Sequence, residues 1–190
     1  MTTREGRDSA DAEESLGEQV RRVAAGEPAA FAAIVVATTP RLHRLAARIM
    51  ADADEAEDVL QEAYLRAFDA LVDRRFDGRS GAYTWLYRIV TNAAVDALRS
   101  RRRRTRRLDP DGELDSPVDG EERLAARAAL RELGALLDDL PSEQRTAVVL
   151  KELEGLSSNE VAEVMDCSVG AVEQRLVRAR AALRRRIERD

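Results

Sequence analysis

Apolar side chains in this chain recur at steps of three and four over most of its length. Between residues 56 and 71 they fall at Ala56, Leu60, Ala63, Ala67 and Leu71, and between 172 and 183 at Val172, Leu176, Ala179 and Leu183. That spacing lays one apolar stripe along an α-helix, whereas a half-buried strand needs alternation. Ala, Leu and Val dominate the 44% hydrophobic content and aromatics supply only 4%, a balance that suits helices better than sheets. An all-α fold is expected, and 190 residues suffice for one ordinary domain or two small ones.

Punctuation divides the chain. Residues 1–15 are rich in Thr, Asp, Glu, Gly and Ser without an apolar period and read as a disordered leader. Helical patterning starts at Leu16, and Gly26-Glu27-Pro28 ends one helix and opens the next at the proline. The following apolar segment, from Phe31 and Ile34 to Ile49, contains Pro40, which predicts a kink or break. His43 lies beside that stripe and reads as a partly buried structural histidine. Asp54 with Glu57 three residues on has the spacing of an N-terminal capping pair. Residues 106–121, with Pro110, Gly112, Pro117, Gly120 and several aspartates, carry no apolar period and read as a linker. The fifteen residues from Arg106 to Gly120 span at most ~50 Å when extended. The expected architecture is therefore two small helical domains, 16–105 and 122–190, joined by a flexible linker.

Charge and cysteine usage exclude several classes. The net charge of -5 argues against a protein that coats DNA indiscriminately, yet Arg99, Arg101 to Arg104, Arg106 and Arg107 make a dense positive run ahead of an acidic stretch from Asp109 to Glu122. That run either extends a helix into a phosphate-binding arm or solubilises the end of a domain; phosphate contact is the favoured reading, and it implies strong salt dependence. Lys151 is the only lysine, so the positive charge is almost all arginine. This reflects either a GC-rich genome or a need for planar donors that grip phosphate and guanine. One cysteine and one histidine assemble neither a disulfide framework nor a Cys/His zinc site, and no metal or cofactor is expected. No hydrophobic run reaches the roughly 20 residues of a bilayer span and the start is not signal-like, so a cytoplasmic protein without membrane insertion is expected.

The C-terminal region carries the first functional signal. After helical periodicity from Leu124 to Leu140, the run Leu140-Pro141-Ser142-Glu143 opens another helix, and Gly155 closes it with Leu156 placed for the hydrophobic contact that follows a C-terminal cap. Ser157 and Glu160 have capping-box spacing, opening a short helix through Met165, and Asp166-Cys167-Ser168 turns into a longer one. This is a helix-turn-helix pattern. Ala171, Gln174, Arg175 and Arg178 project together from the second helix and suit a major groove, where arginine pairs with guanine and glutamine with adenine. Arg180, Arg184, Arg185 and Arg186 are better placed for phosphate or solvent. Cys167 in the turn reads as a small buried hydrophobe.

A second signal is the clustering of Phe76, Tyr83, Trp85 and Tyr87, four of seven aromatics, within twelve residues. Such rings either fill a core or stack on unpaired bases, the latter worth roughly 1 to 3 kcal/mol each; for Trp85 both readings stand. Arg88 and Asn92, four apart, share a helix face opposite Leu86, Ile89, Val90, Ala93 and Ala97, so Asn92 is placed to read a base.

The order of these segments resembles bacterial RNA polymerase sigma factors of the extracytoplasmic-function (ECF) class, of the sigma-E-like kind. The text from Ala56-Glu57-Asp58-Val59-Leu60-Gln61-Glu62 through Phe68 is similar to the helix by which these factors dock on the polymerase. The resemblance implies Asp58, Gln61, Glu62 and Arg66 as polymerase-binding residues. Tyr83-Thr84-Trp85-Leu86-Tyr87-Arg88 through Asn92 resembles the segment that reads and melts the minus-ten element, implying Phe76, Tyr83, Trp85, Tyr87, Arg88, Asn92 and Arg99 as DNA-contacting. By the same resemblance the loop from Asp77 to Ala82 shapes a pocket for an extruded base. Leu150 to Ser157 and Val161 to Val172 resemble the minus-thirty-five-binding domain, implying Ser168, Ala171, Glu173, Gln174, Arg175 and Arg178 as readers. Glu173 departs from the family's usual basic or polar residue. It either accepts from a cytosine amine or faces sideways and weakens phosphate affinity.

The resemblance implies core RNA polymerase, promoter DNA and an anti-sigma factor as partners, transcription initiation in response to stress as the role, and no enzymatic activity. A one-component repressor or response-regulator output protein would share the helix-turn-helix, but the aromatic segment disfavours it. No phosphate-cradling glycine motif, metal constellation or nucleophile–base pair supports a small enzyme.

Overall fold

The structure, a computed structural model, describes residues 2–76, 78, 80–105 and 121–188, with side chains described for 12–76, 78, 80–103 and 125–188. Among the described residues eight α-helices follow in order: α1 Thr2–Ala24, α2 Phe31–Met50, α3 Ala53–Val72, α4 Ala82–Thr105, α5 Glu121–Leu137, α6 Ser142–Val148, α7 Ser158–Val164 and α8 Val169–Ile187. A 3-10 turn at Pro28–Ala30 leads into α2, and a π-helical turn over Val149–Leu153 prolongs α6. There is no strand among the described residues. The chain forms two helical domains: α1–α4 pack on one another, α6–α8 pack on one another, and α5 lies against α2; residues 106–120 of the expected linker lie outside the described residues.

The N-terminal leader corrects an expectation. Residues 2–15 are helical and run without interruption into Ala24. Leu16, Val20 and Val23 bury one stripe of α1 against the domain core, and Glu13 accepts a hydrogen bond from the backbone of Tyr83 at 3.3 Å. Once that docked segment has met the cost of nucleation, Arg, Glu and Ala residues extend the helix at little further cost.

Pro40 sits inside α2 without ending it. The carbonyl it leaves without an amide partner belongs to Val36, which is 77% exposed and can be hydrated. Around it Thr38 and Thr39 donate to the carbonyls of Ile34 and Val35 at 2.7 and 2.8 Å, and the Tyr64 hydroxyl bridges both threonines at 2.8 and 3.1 Å. That bridge ties α3 to α2 where the ladder is weakest.

The cap of α3 also lies earlier than its sequence spacing suggests. Asp52, in extended backbone, accepts from the amides of Asp54 and Glu55, both at 2.9 Å. Asp54 is then already in the first turn, where its charge favours the positive end of the helix dipole.

The second domain follows its sequence signals closely. Gly155 has φ +73°, a left-handed conformation that side chains other than glycine adopt at a cost, and Leu156 donates back to the Leu150 carbonyl at 3.1 Å. Buried apolar side chains form one continuous cluster from Leu16 through Ala179, so the two domains share packing. The end of α2 and α5 approach closely at Gly134, where a Cβ would stand 2.8 Å from that of Ala51.

Candidate nucleic-acid interface

The helix-turn-helix is assembled by local hydrogen bonds. Ser157 caps α7 in a reciprocal box: its hydroxyl accepts from the Glu160 amide at 3.2 Å, and the Glu160 carboxylate accepts from the Ser157 amide at 2.7 Å. Those bonds hold the Glu160 carboxyl below the usual carboxylate range. Asp166 takes the left-handed turn conformation, φ +48°. Ser168 accepts from the Ala171 amide at 3.2 Å and caps α8, so its side chain is engaged in starting the helix.

Val172, Leu176 and Ala179 bury the inner stripe of α8. Glu173, Gln174, Val177 and Arg178 lie on its exposed side, whereas Ala171 and Arg175 are half-buried. Arg175 turns back from that face and donates to the Cys167 Sγ at 2.9 Å, bracing the turn. Glu173 accepts a hydrogen bond from the Ser158 hydroxyl at 2.5 Å, which fixes one carboxylate oxygen against the start of α7. Val177, 62% exposed, is an apolar residue on the polar face. The sequence carries a usable signal for it, since residue 177 is out of phase with the stripe at 172, 176, 179 and 183.

On α4 the aromatic cluster separates into two environments. Trp85 and Tyr87 are buried, at 5% and 3% exposure, while Phe76 and Tyr83 are half-buried. Phe76 leans on Trp85 with ring centroids 4.8 Å apart. The Arg41 guanidinium lies 5.1 Å from the centroids of both Tyr83 and Tyr87. Burial raises the Tyr87 phenol above its ordinary pKa. Asn92 is exposed, with Arg88 half-buried one turn earlier and Arg99 exposed two turns later. Asp77 and Arg79 of the expected base pocket lie outside the described residues.

The outer side of α3 presents Asp58, Gln61, Glu62 and Arg66 together, all exposed. Arg66 donates to Glu62 at 2.9 Å and reaches Asp96 of α4 at 3.5 Å, and the Glu62 bond raises the guanidinium pKa further. Leu65, 63% exposed, adds an apolar surface that the charged pattern of this face does not suggest.

Among the described residues no cluster of His, Cys, Asp or Glu could hold a metal ion, and no helix is long and apolar enough to cross a membrane. An exposed acidic helix face, a helix with aromatic side chains and an exposed asparagine, and a helix-turn-helix follow in that order on an all-α scaffold. Residues 34–104 match Sigma-70 region 2 and residues 130–183 match Sigma-70 region 4. The RNA polymerase sigma-H factor of Pseudomonas aeruginosa is 39% identical over 174 residues, 86% of this chain and 89% of that protein. The ECF RNA polymerase sigma-E factor of Escherichia coli K12 is 36% identical over 187 residues, 92% of this chain and 96% of that protein.

Among solved structures, CnrH in complex with the cytosolic domain of CnrY superposes with a TM-score of 0.65 at 28% identity, covering 94% of this chain and 99% of that one. The Bartonella quintana sigma factor RpoE, solved with the anti-sigma factor NepR, shares the fold at a TM-score of 0.59 and 23% identity, covering 84% and 98% of the two chains. The chain belongs to the ECF sigma factors: it directs RNA polymerase to promoters and promotes the strand opening that starts transcription.

Proposed function

We propose that three faces of this sigma factor divide its work. The outer face of α3, with Asp58, Gln61, Glu62, Arg66 and the exposed Leu65, docks on core RNA polymerase. The α4 stripe of Arg88, Asn92 and Arg99 reads the minus-ten element, and Tyr83 at the start of the same helix, with Phe76 ahead of it, helps to open it. Trp85 supports that surface from below as the ring on which Phe76 rests, and Tyr87 meets DNA only after it is uncovered. The exposed side of α8 reads the minus-thirty-five element in the major groove through Gln174, Val177 and Arg178. Arg175 positions the turn, Ser168 and Ala171 set the start of the helix, and the free oxygen of Glu173 faces a cytosine amine.

The observation that carries this reading is the placement of Asn92, exposed on the helix that also holds the aromatic cluster. A polar base reader on the same helix as a half-buried ring suits recognition of a base that has left the stack. The factor works by binding, without chemistry of its own, in the cytoplasm and in response to stress. It is held inactive by an anti-sigma factor, in keeping with the relative CnrH, which was solved bound to the cytosolic domain of another protein.

Run-off transcription with core polymerase, with and without this chain, on duplex and pre-melted promoters tests the reading. Initiation from both templates only when the chain is present is expected. Tight promoter binding by the isolated chain with no initiation on core enzyme would refute it and return the chain to the repressor class.

A further inference from the structure

A cleft of about 760 Å³ opens where the ends of α2 and α4 meet α5 and the start of α6, and Arg101, Arg102, Arg131 and Arg145 line it. Three carboxylates share the lining, and two of them are engaged elsewhere: Asp52 caps α3, and Asp139 pairs with Arg186 at 3.2 Å. Asp138 is the one that meets Arg145, accepting from Nη1 at 3.3 Å. The Arg145 side chain is 2% exposed and that of Asp138 is 61% exposed. The Nε and Nη2 of Arg145 are buried and have no hydrogen-bond partner. Those two nitrogens make one edge of the guanidinium plane, with parallel N–H bonds. That edge is the fork that grips two oxygens of a carboxylate or phosphate together.

The electrostatics point the same way. Burial lowers the Arg145 pKa most, the charge of Arg101 lowers it further and that of Arg102 adds a smaller push, while Asp138 opposes them only in part. A buried cation whose fork is unused costs stability, and an apolar side chain of similar volume in its place is often neutral or better. An unpartnered buried donor in a native protein calls for an explanation, and a bound anion is one that also accounts for the surrounding arginines. Arg102 is held at the cleft wall by donating to the carbonyls of Asp138 and Leu140, and Arg131 is exposed on α5.

We propose that this cleft binds a small anion carrying a diphosphate or longer phosphate chain, with Arg145 as its anchor. Its volume lies within the roughly 300 to 1,000 Å³ of small-ligand sites and exceeds what a single phosphate fills. The incoming oxyanion displaces the exposed Asp138 carboxylate into water, and the guanidinium turns its Nε–Nη2 edge to two phosphate oxygens. Arg101, Arg102 and Arg131 then face the remaining charge. Asp138 is a competitor for the site, since it partly neutralises Arg145 in the free protein and repels an arriving anion. An anchor this deeply buried is within reach of a small anion, whereas the phosphates of a duplex are carried on a rod too wide to follow it.

Isothermal titration of the full-length chain with inorganic pyrophosphate at constant ionic strength tests the site. One equivalent should bind, more tightly than orthophosphate. Arg145→Met should lower the affinity roughly ten- to hundred-fold, the worth of charge-assisted hydrogen bonding. Asp138→Asn removes the competitor and should raise the affinity about five-fold. Arg131→Gln should weaken binding, whereas Arg21→Gln, the same change in net charge on α1 outside the cleft lining, should leave it unchanged. If Arg145→Met fails to fold, the opposite signs at Asp138 and Arg131 decide. No binding at millimolar pyrophosphate, unchanged affinity in a folded Arg145→Met, or equal loss in Arg21→Gln and Arg131→Gln would mean an adventitious ion only and overturn the site. Displacement of pyrophosphate by a single-stranded oligonucleotide whose own binding requires Arg145 would give the cleft to a nucleic-acid backbone and overturn the small-molecule reading. Neither polymerase nor promoter enters these measurements, so their failure is separate from a failure of the proposed function.

Discussion

If the exposed side of α8 reads DNA, Val177 should contact a thymine methyl, and that contact can be removed from either partner. Val177→Ala shortens the protein side, and replacing single thymines by deoxyuridine deletes the methyl on the DNA side. Val177 is 62% exposed, so about three-fifths of its surface is available to a ligand. Full burial of a valine is worth about 1.5 to 3 kcal/mol, which bounds the whole contact near 1 to 2 kcal/mol. One methyl group accounts for about 0.8 kcal/mol of that, or roughly four-fold in affinity. The assay is competitive binding of reconstituted holoenzyme to a selected promoter and to its single-uracil variants across the minus-thirty-five element. One thymine should cost the wild-type factor about four-fold when demethylated and cost Val177→Ala almost nothing, a coupling measured directly by the double-mutant cycle. Because most of the side chain is exposed, the substitution should leave stability unchanged within about 0.5 kcal/mol. Zero coupling at every thymine would remove Val177 from the reading face and with it the orientation assigned to α8.

Other expectations concern folding and opening. Ser157→Ala removes the acceptor that caps α7 and should cost about 1 kcal/mol, lowering Tm by about 2 to 4 °C. Since the Glu160 carboxyl is held low in the folded state, its contribution is complete above the unfolded glutamate pKa and disappears as pH falls through the lower folded value; acid titrations of wild type and Glu160→Gln should converge there. Arg145 is 2% exposed, its Nε and Nη2 have no hydrogen-bond partner, and burial with Arg101 nearby lowers its pKa. Arg145→Met should therefore be neutral or stabilising by about 1 to 4 kcal/mol in chemical denaturation, because its Asp138 partner is 61% exposed and rehydrates. Trp85→Ala should cost about 3 to 5 kcal/mol of stability. Tyr83→Ala should cost less stability than Trp85→Ala and impair initiation on duplex promoters more than on pre-melted ones; equal loss on both would contradict its melting role.

Most of the secondary structure was legible in the sequence because its determinants are local. The Ser157–Glu160 box, the left-handed Asp166 and the glycine stop at Gly155 act within a few residues, and each appears where its residue type and spacing place it. The exceptions have tertiary causes. Residues 2–15 carry no apolar period, and their helix propagates from the docking of Leu16, Val20 and Val23. Pro40 breaks nothing because Tyr64, from another helix, bridges the threonines beside it.

The candidate site divides in the same way. By itself the sequence determined the all-α class, the order of the two domains and the helix faces that carry Asn92, Gln174 and Arg178, since a 3.6-residue period assigns faces without reference to the rest of the chain. Only the tertiary structure decided what those faces meet. It turned Arg175 onto Cys167, set Glu173 against Ser158, buried Trp85 and Tyr87, and brought Tyr87 to Glu154 across 67 residues of chain. Such pairings depend on how whole helices pack, and no periodicity within one helix records which partner will lie across from it.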